Sequence, residues 1–524
     1  MKKQVLSAAI AAVSLLGFSQ ASFALAPATT PDLEIFMSGA TAQDKGIAAL
    51  FENLCDAGTL DVFKDNTKAG SEGKDHTAFF CTLNSTNVPG LSVNGNPVAS
   101  AKVLLHKRSQ GGSAQGVNPL IDGVAISAMR IDNGNCTQQG VTNTWFCNAQ
   151  GANLTNQVSD AGVSDVEPKL FIGPNKPSNA GAVDPVAADA ALDVVPAAAL
   201  LFGVPVSDNL YVALQKAQGL LVADGGSCAV GAYTEACMPS LSKQQVAELI
   251  SGQIKKWSEF KINGTALTAL TAGMTYDSGD GVVRNVTPTD TKLHFCKRID
   301  GSGTGAQMYA KFLNNPCSSA GLNPDWPGSN LAGPVKHEVS GSGDMELCLE
   351  DFADGENNAK TISSTNPDVF NTANNSALAK GWAIGMQSTE NNARVDSDPK
   401  RKHYRFVKVD GVAPTLENAF RGKYMDWVEQ TIQWRKAISQ DKKTVIQKIA
   451  TDASSPSILG TVLNPDFVHP FGPAGYLAIG TNHPFTENLN LSAPVMPYSH
   501  AAKGSLSNCQ VPVIPSSTNT SKPM

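Results

Sequence analysis

Beyond its opening segment, the 524-residue chain has no run approaching the roughly 18 consecutive apolar residues that a membrane-spanning helix requires. That excludes a multi-span membrane protein. No basic cluster is present, and the formal charge is −6, so a polynucleotide partner is not expected. There is no C-x-x-C spacing, and the eight histidines stand singly rather than at ligand spacing, which argues against a metal centre. The strings G-x-S-x-G, H-E-x-x-H and G-x-x-x-x-G-K-[ST] are all missing, and with them the common signatures of hydrolases and nucleotide-binding enzymes. No catalytic residue and no cofactor is therefore expected.

What is present begins with MKKQVLSAAIAAVSLLGFSQASFALA: two lysines, an apolar run from Val5 to Phe18, then small residues. This is the layout of a secretory signal peptide, with cleavage expected after Ala24 because a cut after Ala26 would leave Pro27 behind the scissile bond. No cysteine lies at the junction, so no lipid anchor is expected. Ten cysteines follow, an even number that reads as disulfides in an exported chain. Cys136 with Cys147 and Cys228 with Cys237 each close a short polar loop and are the expected pairs; the other six are left open. With 46 Gly and 30 Pro the chain is loop-rich but globular, and its length suggests two or three domains.

Strands and helices alternate, which predicts an α/β architecture with mainly parallel sheets. The strand Ile35 to Met37 runs through SGAT into a helix with Ile47, Leu50, Phe51 and Leu54 on one face. Val103 to Leu105 leads through KRSQGGSAQG to a helix start near Ser113. Lys292 to Arg298 leads through DGSGTG to a helix carrying Tyr309, Phe312 and Leu313. Ser242 with Gln245 predicts a capping box for a helix that bears Val246, Leu249, Ile250 and Trp257. Residues 60–100 and 130–157 read as surface insertions, 514–524 as a flexible tail, and Tyr424 to Trp434 as strand or helix.

Each Gly/Ser helix start is a potential anion site, because first-turn amides lack intrahelical acceptors and the helix dipole is positive there. In RIDGSGT the amides of Ser302, Gly303 and Thr304 are expected to face one oxyanion. Arg298 adds a rigid fork of donors, and Asp300 is expected to hold that guanidinium in place. Ser113 opens a second such start and Thr41 with Ala42 a third. Asp165 ends the GVSD turn, and a carboxylate beside an anion makes sense if the ligand keeps a proton: phosphate has an O–H to donate, sulfate has none. Taken singly, each patch is as well explained by a helix cap or a surface ion pair.

Together, the ordered patches SGAT, GSAQGV, GVSD and RIDGSGT resemble the phosphate-binding proteins of ABC importers, in the type 2 periplasmic binding protein superfamily. IKKWSEF at 254–260, taken as a helix, KGWAIGMQSTENN at 380–392 and FVKVDGVAPTLENAF at 406–420 extend the resemblance over most of the mature chain. It implies a two-lobed Venus-flytrap fold, with signal peptide 1–24, lobe I at 25–207 and 429–513, lobe II at 208–428 and a tail at 514–524. It also implies inorganic phosphate as ligand, bound by Thr41, Ala42, Ser113, Asp165, Arg298, Ser302, Gly303 and Thr304. The expected setting is a monomer in the periplasm, without nucleic acid or membrane anchor, serving an ABC permease. The chain departs from the family at the first patch, where a longer turn with Thr followed by an aromatic is usual, and in its extra length and cysteines. Secretion without a transporter, or phosphate-ester hydrolysis, are the other functions the residues leave open.

Overall fold

In the computed structural model, the described residues are 27–67, 72–177, 180–324, 333–356, 358–359, 380–394, 401–501, 506–515 and 522–523. The signal peptide and most of the tail lie outside them. Strand β1 (Leu33–Gly39) leads to helix α1 (Asp44–Leu54), which buries Ile47, Leu50, Phe51 and Leu54 as its apolar spacing requires. Strands β2 (Asp61–Asp65), β3 (His76–Asn84), β4 (Ser100–Arg108), β5 (Thr144–Cys147) and β6 (Ala161–Ser164) follow. Then comes the long strand β7 (Leu192–Ser207) and helix α2 (Lys243–Ile250), whose capping box of Ser242 and Gln245 is formed. Strand β8 (Leu293–Arg298) enters helix α3 (Gly303–Met308), and β9 (Val335–Val339) enters α4 (Ser342–Asp354). Strands β10 (Trp382–Ile384), β11 (Tyr404–Val409) and β12 (Trp427–Arg435), helix α5 (Gln440–Ser454) and strand β13 (Tyr476–Ile479) complete the frame.

Two sheets result. The first runs β5-β2-β3-β4-β1-β6-β12-β7-β13, with β1 parallel to both β4 and β6. The second joins β9, β8, β10, β7 and β11, with β8 parallel to β9 and β10. Strand β7 serves both: Leu192 to Leu201 pair with β12, whereas Val204 to Ser207 pair with β11. The chain returns beside that crossing, where the Phe202 amide donates to the Asp426 carbonyl at 2.9 Å and the Tyr424 hydroxyl to the Phe202 carbonyl at 2.8 Å. The architecture is thus α/β, as the alternating pattern predicts, and two-lobed, as the resemblance implies, but the sheets are mixed rather than mainly parallel, because β7, β11, β12 and β13 pair antiparallel.

Several elements differ from expectation. Residues 60–100 and 130–157, expected as surface insertions, are more than loops: β2, β3 and β5 widen the first sheet, and Phe63, Phe80, Leu104, Met129, Cys136 and Cys147 form a second small core. The Asn- and Gly-rich turns between these strands mask the short apolar runs. IKKWSEF is a set of turns rather than a helix. It is pinned by buried Trp257, whose indole donates to the Trp382 carbonyl at 2.8 Å. The helix start at Ser113 gives only a 3-10 turn and the five-residue helix Asn118–Asp122, which Gly123 ends in a left-handed conformation. Tyr424 to Trp434 resolves as strand from Trp427 onward, since β12 lies between two partners in the first sheet.

All ten cysteines are paired: Cys55–Cys81, Cys136–Cys147, Cys228–Cys237, Cys296–Cys348 and Cys317–Cys509. Among the described residues, no helix is long and apolar enough to cross a membrane.

Candidate functional site: a buried polar cluster between the sheets

Strand β1 ends in Gly39 at φ +117°, where a Cβ would sit 2.1 Å from the Val163 carbonyl oxygen, so the SGAT turn tolerates only glycine there. That turn delivers Thr41. From β4, the GGS turn delivers Ser113, and β6 ends by delivering Asp165. These three come from the first sheet. From the second, β8 places Arg298 at its end, and Gly301 at φ +86° turns the chain so that Ser302 caps α3, its hydroxyl accepting from the Gly305 amide at 3.4 Å.

All of them meet at one place. Arg298 is 3% exposed; its Nε and Nη2 donate to the Ser340 carbonyl at 3.1 and 2.8 Å, and Nη2 also reaches Thr41 Oγ1 at 2.9 Å. Nη1 donates to Thr304 Oγ1 at 3.3 Å, and that hydroxyl donates onward to Asp165 Oδ2 at 3.0 Å. The Asp165 amide donates to Ser113 Oγ at 3.3 Å. Gly303 fits only because it lacks a side chain: a Cβ would lie 2.4 Å from Ser113 Oγ and 2.7 Å from Asp165 Cβ. The sheets also touch through backbone, the Ala114 amide donating to the Gly301 carbonyl at 2.8 Å. Ala42 is buried behind Thr41 and offers only its backbone.

Two expectations about RIDGSGT need correction. Asp300 does not hold Arg298; it is an exposed partner of Lys297 at 2.6 Å, because the turn points it away while the Ser340 carbonyl fixes the guanidinium. The Ser302 amide is committed to the Ile299 carbonyl at 3.1 Å, leaving those of Gly303 and Thr304 as the first-turn amides without an acceptor among the described residues.

The charge balance of the site is unusual. Burial pushes the Asp165 carboxyl up to about 6, opposed by the Arg298 charge, the Thr304 hydroxyl, the nearby Gln43 amide and Lys107. Asp165 Oδ1 is buried with no hydrogen-bond partner among the described residues, and so is Gln43 Nε2. The two lie close enough for the Gln43 amide to act on the Asp165 carboxyl, so this donor and acceptor can satisfy each other or the polar groups of a ligand. Burial likewise lowers the Arg298 guanidinium, against Asp165, Asp344 and Asp44, yet an arginine stays cationic.

Sequence reasoning missed several participants. Lys107, fully buried, ties the SGAT turn together by donating to the Ala40 carbonyl at 3.1 Å and to Asp44 Oδ1 at 2.8 Å. Ser342, whose hydroxyl lies 3.3 Å from Thr41 Oγ1, begins α4. Its setting, VSGSGD at 339–344, is one more strand end feeding a Gly/Ser helix start, so the cue was in the sequence. Gln43 and Lys107 stand at the margins of the SGAT and KRSQGGSAQG segments, but nothing in those strings marks their side chains as facing the site. Among the described residues, no group of three or more His, Cys, Asp or Glu is placed to hold a metal ion.

No protein-family model matches the chain, and no curated protein matches it in sequence. Solved structures similar to it include one with bound phosphate from Clostridium perfringens, assigned as a phosphate ABC transporter substrate-binding protein, at 14% identity and TM-score 0.37 over 80% of this chain and 96% of that one. An ABC-type phosphate transport receptor from Vibrio cholerae is similar at 11% identity and TM-score 0.32, over 80% and 93% of the two chains. PstS from Borrelia burgdorferi is similar at 11% identity and TM-score 0.30, over 81% and 95%.

Proposed function

We propose that this chain is an exported solute-binding protein that captures inorganic phosphate between two lobes, 25–207 with 429–513 and 208–428, and delivers it to an ABC permease from the periplasm. The observation that carries this reading is the pairing of Arg298 with Asp165 in one buried cluster, with Oδ1 of Asp165 unsatisfied. Arg298, Ser113, Thr41 and the amides of Gly303 and Thr304 are donors suited to the oxygens of a divalent anion. The ionised Asp165 only accepts, so it requires a ligand that still carries a proton. Monohydrogen phosphate meets both demands and sulfate fails the second.

The same cluster favours binding over hydrolysis: the hydroxyl it aims at a carboxylate, that of Thr304 on Asp165, is also held by Arg298. The Ser113 hydroxyl accepts from a backbone amide rather than facing a base, and no histidine belongs to the cluster. The ligand is bound and released unchanged, its water stripped as the lobes close.

Isothermal titration calorimetry decides the matter. One phosphate is expected to bind per chain with micromolar or tighter affinity, sulfate at least a hundredfold more weakly, and Arg298→Ala to remove the phosphate heat. No phosphate heat at micromolar protein would sink the reading. Turnover of a chromogenic phosphate ester that disappears in Arg298→Ala would replace it with hydrolysis.

A further inference from the structure

A cavity of about 90 Å³ runs from the surface to the place where β7 and the returning chain cross. At ~30 Å³ per water it holds roughly three waters, so only a small ligand fits. Its mouth is formed by the exposed residues Lys243, Asp410, Lys423 and Met425, and its floor by the buried residues Phe312, Tyr424 and Asp426. Lys311, partly buried, and Val409 complete the wall. None of the cradle residues Thr41, Ser113, Asp165 and Arg298 belongs to it, so a ligand here is independent of the phosphate reading of that cradle.

The charged groups of the wall are Lys243, Lys311, Lys423, Asp410 and Asp426, an excess of cations. Asp410 accepts from the Lys243 backbone amide at 2.9 Å. Asp426 is 5% exposed, and only one of its oxygens is used: Oδ1 accepts from the Gln307 side-chain amide, whereas Oδ2 is buried with no hydrogen-bond partner among the described residues. Burial raises this carboxyl, against the Lys311 charge, the Gln307 amide and Lys243. Lys311 forms no ion pair among the described residues; its Nζ lies 3.0 Å from His500 Nε2 and 5.8 Å from the centre of the Trp427 ring. The nearby Glu167 and Glu429 stand outside the wall, bonded to Asn508 and to the His500 amide. A buried acceptor without a donor thus shares one small space with lysines that lack counter-ions, and a ligand with both a hydroxyl and a negative charge relieves the two costs together.

We propose that this cavity is a second binding site, for a small 2-hydroxycarboxylate. The carboxylate lies among Lys243, Lys311 and Lys423, the hydroxyl donates to Asp426 Oδ2, and the hydrocarbon part packs on Phe312, Val409 and Met425. So little room requires the hydroxyl to be adjacent to the carboxylate. The ligand bridges the crossing and the cradle helix, because the Asp426 carbonyl accepts from the Phe202 amide of β7, while Gln307 and Lys311 belong to α3 and its continuation.

Calorimetry on the full mature chain tests it with three probes of similar size: L-lactate, propionate, which lacks the hydroxyl, and 1,2-propanediol, which lacks the charge. L-lactate is expected to bind with a dissociation constant below about 1 mM, and the other two at least tenfold more weakly. The Lys243→Ala/Lys423→Ala variant, changed only at exposed positions, is expected to lose at least tenfold for L-lactate. In Asp426→Ala the preference for L-lactate over propionate is expected to fall below threefold. No L-lactate binding at millimolar concentration overturns the proposal, and so does an L-lactate affinity unchanged in the double-lysine variant, which would place the ligand elsewhere. Propionate binding as tightly as L-lactate, or a preference that survives Asp426→Ala, overturns the hydroxyl contact with Asp426. Propanediol binding as tightly as L-lactate overturns the role of the lysines.

Discussion

At the scale of single residues, Asp165 is the group whose chemistry is most exposed to test. Its carboxyl is raised to about 6 by burial. A carboxyl raised in the folded state contributes stability that is complete below its unfolded value near 3.8 and is lost as pH rises through about 6. At pH 8 the ligand-free protein therefore carries an ionised Asp165, which, on the proposed function, phosphate would relieve by donating a hydrogen bond. Below pH 6 a protonated Asp165 becomes a donor and no longer repels sulfate. The phosphate-to-sulfate affinity ratio is expected to fall at least tenfold between pH 8 and pH 5, measured by competition titration. Asp165→Asn should flatten that dependence, and a ratio unchanged by either pH or substitution would remove Asp165 from ligand selection. Residue identities in the four Gly/Ser patches were legible because backbone chemistry dictates them: a strand end needs glycine to turn and a donor to cap. The neighbours that steady them were not, since Ser340, Gln43 and Lys107 reach the site through tertiary packing that leaves no periodic trace.

Elements explain why the cradle forms where it does. Strand–turn–helix units recur at β1, β4, β8 and β9, and parallel pairing of β1 with β4 and β6, and of β8 with β9, brings their turns to common edges. Those units could be read from alternation and Gly/Ser turns. Strands β2, β3 and β5 could not, because their apolar runs are short and their pairing is set by partners far away in the chain. The contact between units hinges on Gly303. In Gly303→Ala the new methyl meets Asp165 Cβ at about 2.7 Å, and a Cβ cannot swing aside as a hydroxyl can. The turn from β6 and the start of α3 must then separate. Phosphate affinity is expected to fall at least tenfold, about 1.4 kcal/mol, while the ligand-free melting temperature moves by no more than about 3 °C. A large loss of melting temperature with unchanged affinity would make Gly303 a packing residue only.

On the proposed function the whole molecule would open to admit a ligand, and its covalent connections limit how. Strand β7 and the return near Asp426 join the sheets at one side, where Phe202 is bonded to both Asp426 and Tyr424. A further connection is the Cys317–Cys509 disulfide, spanning 192 residues of sequence. Cys317 follows α3 and its continuation to Leu313, which carry the Arg298 side of the cradle. Cys509 adjoins Asn508, which is bonded to Glu167 two residues beyond Asp165, and to Glu429 of β12. The bond therefore ties the end of the α3 segment to the sheet that holds Asp165, and it restrains any motion that would draw Thr304 away from that aspartate. Closing so long a loop should stabilise the fold by roughly 2–5 kcal/mol. Replacing both cysteines by alanine is expected to lower the melting temperature, to enlarge the radius of gyration of the ligand-free protein in solution scattering, and to speed phosphate release in stopped flow. Adding saturating phosphate should return the radius to that of the native chain, since the cradle itself then holds the lobes together. If the variant melts lower but its radius and release rate are those of the native protein, the disulfide braces the C-terminal segment and plays no part in opening.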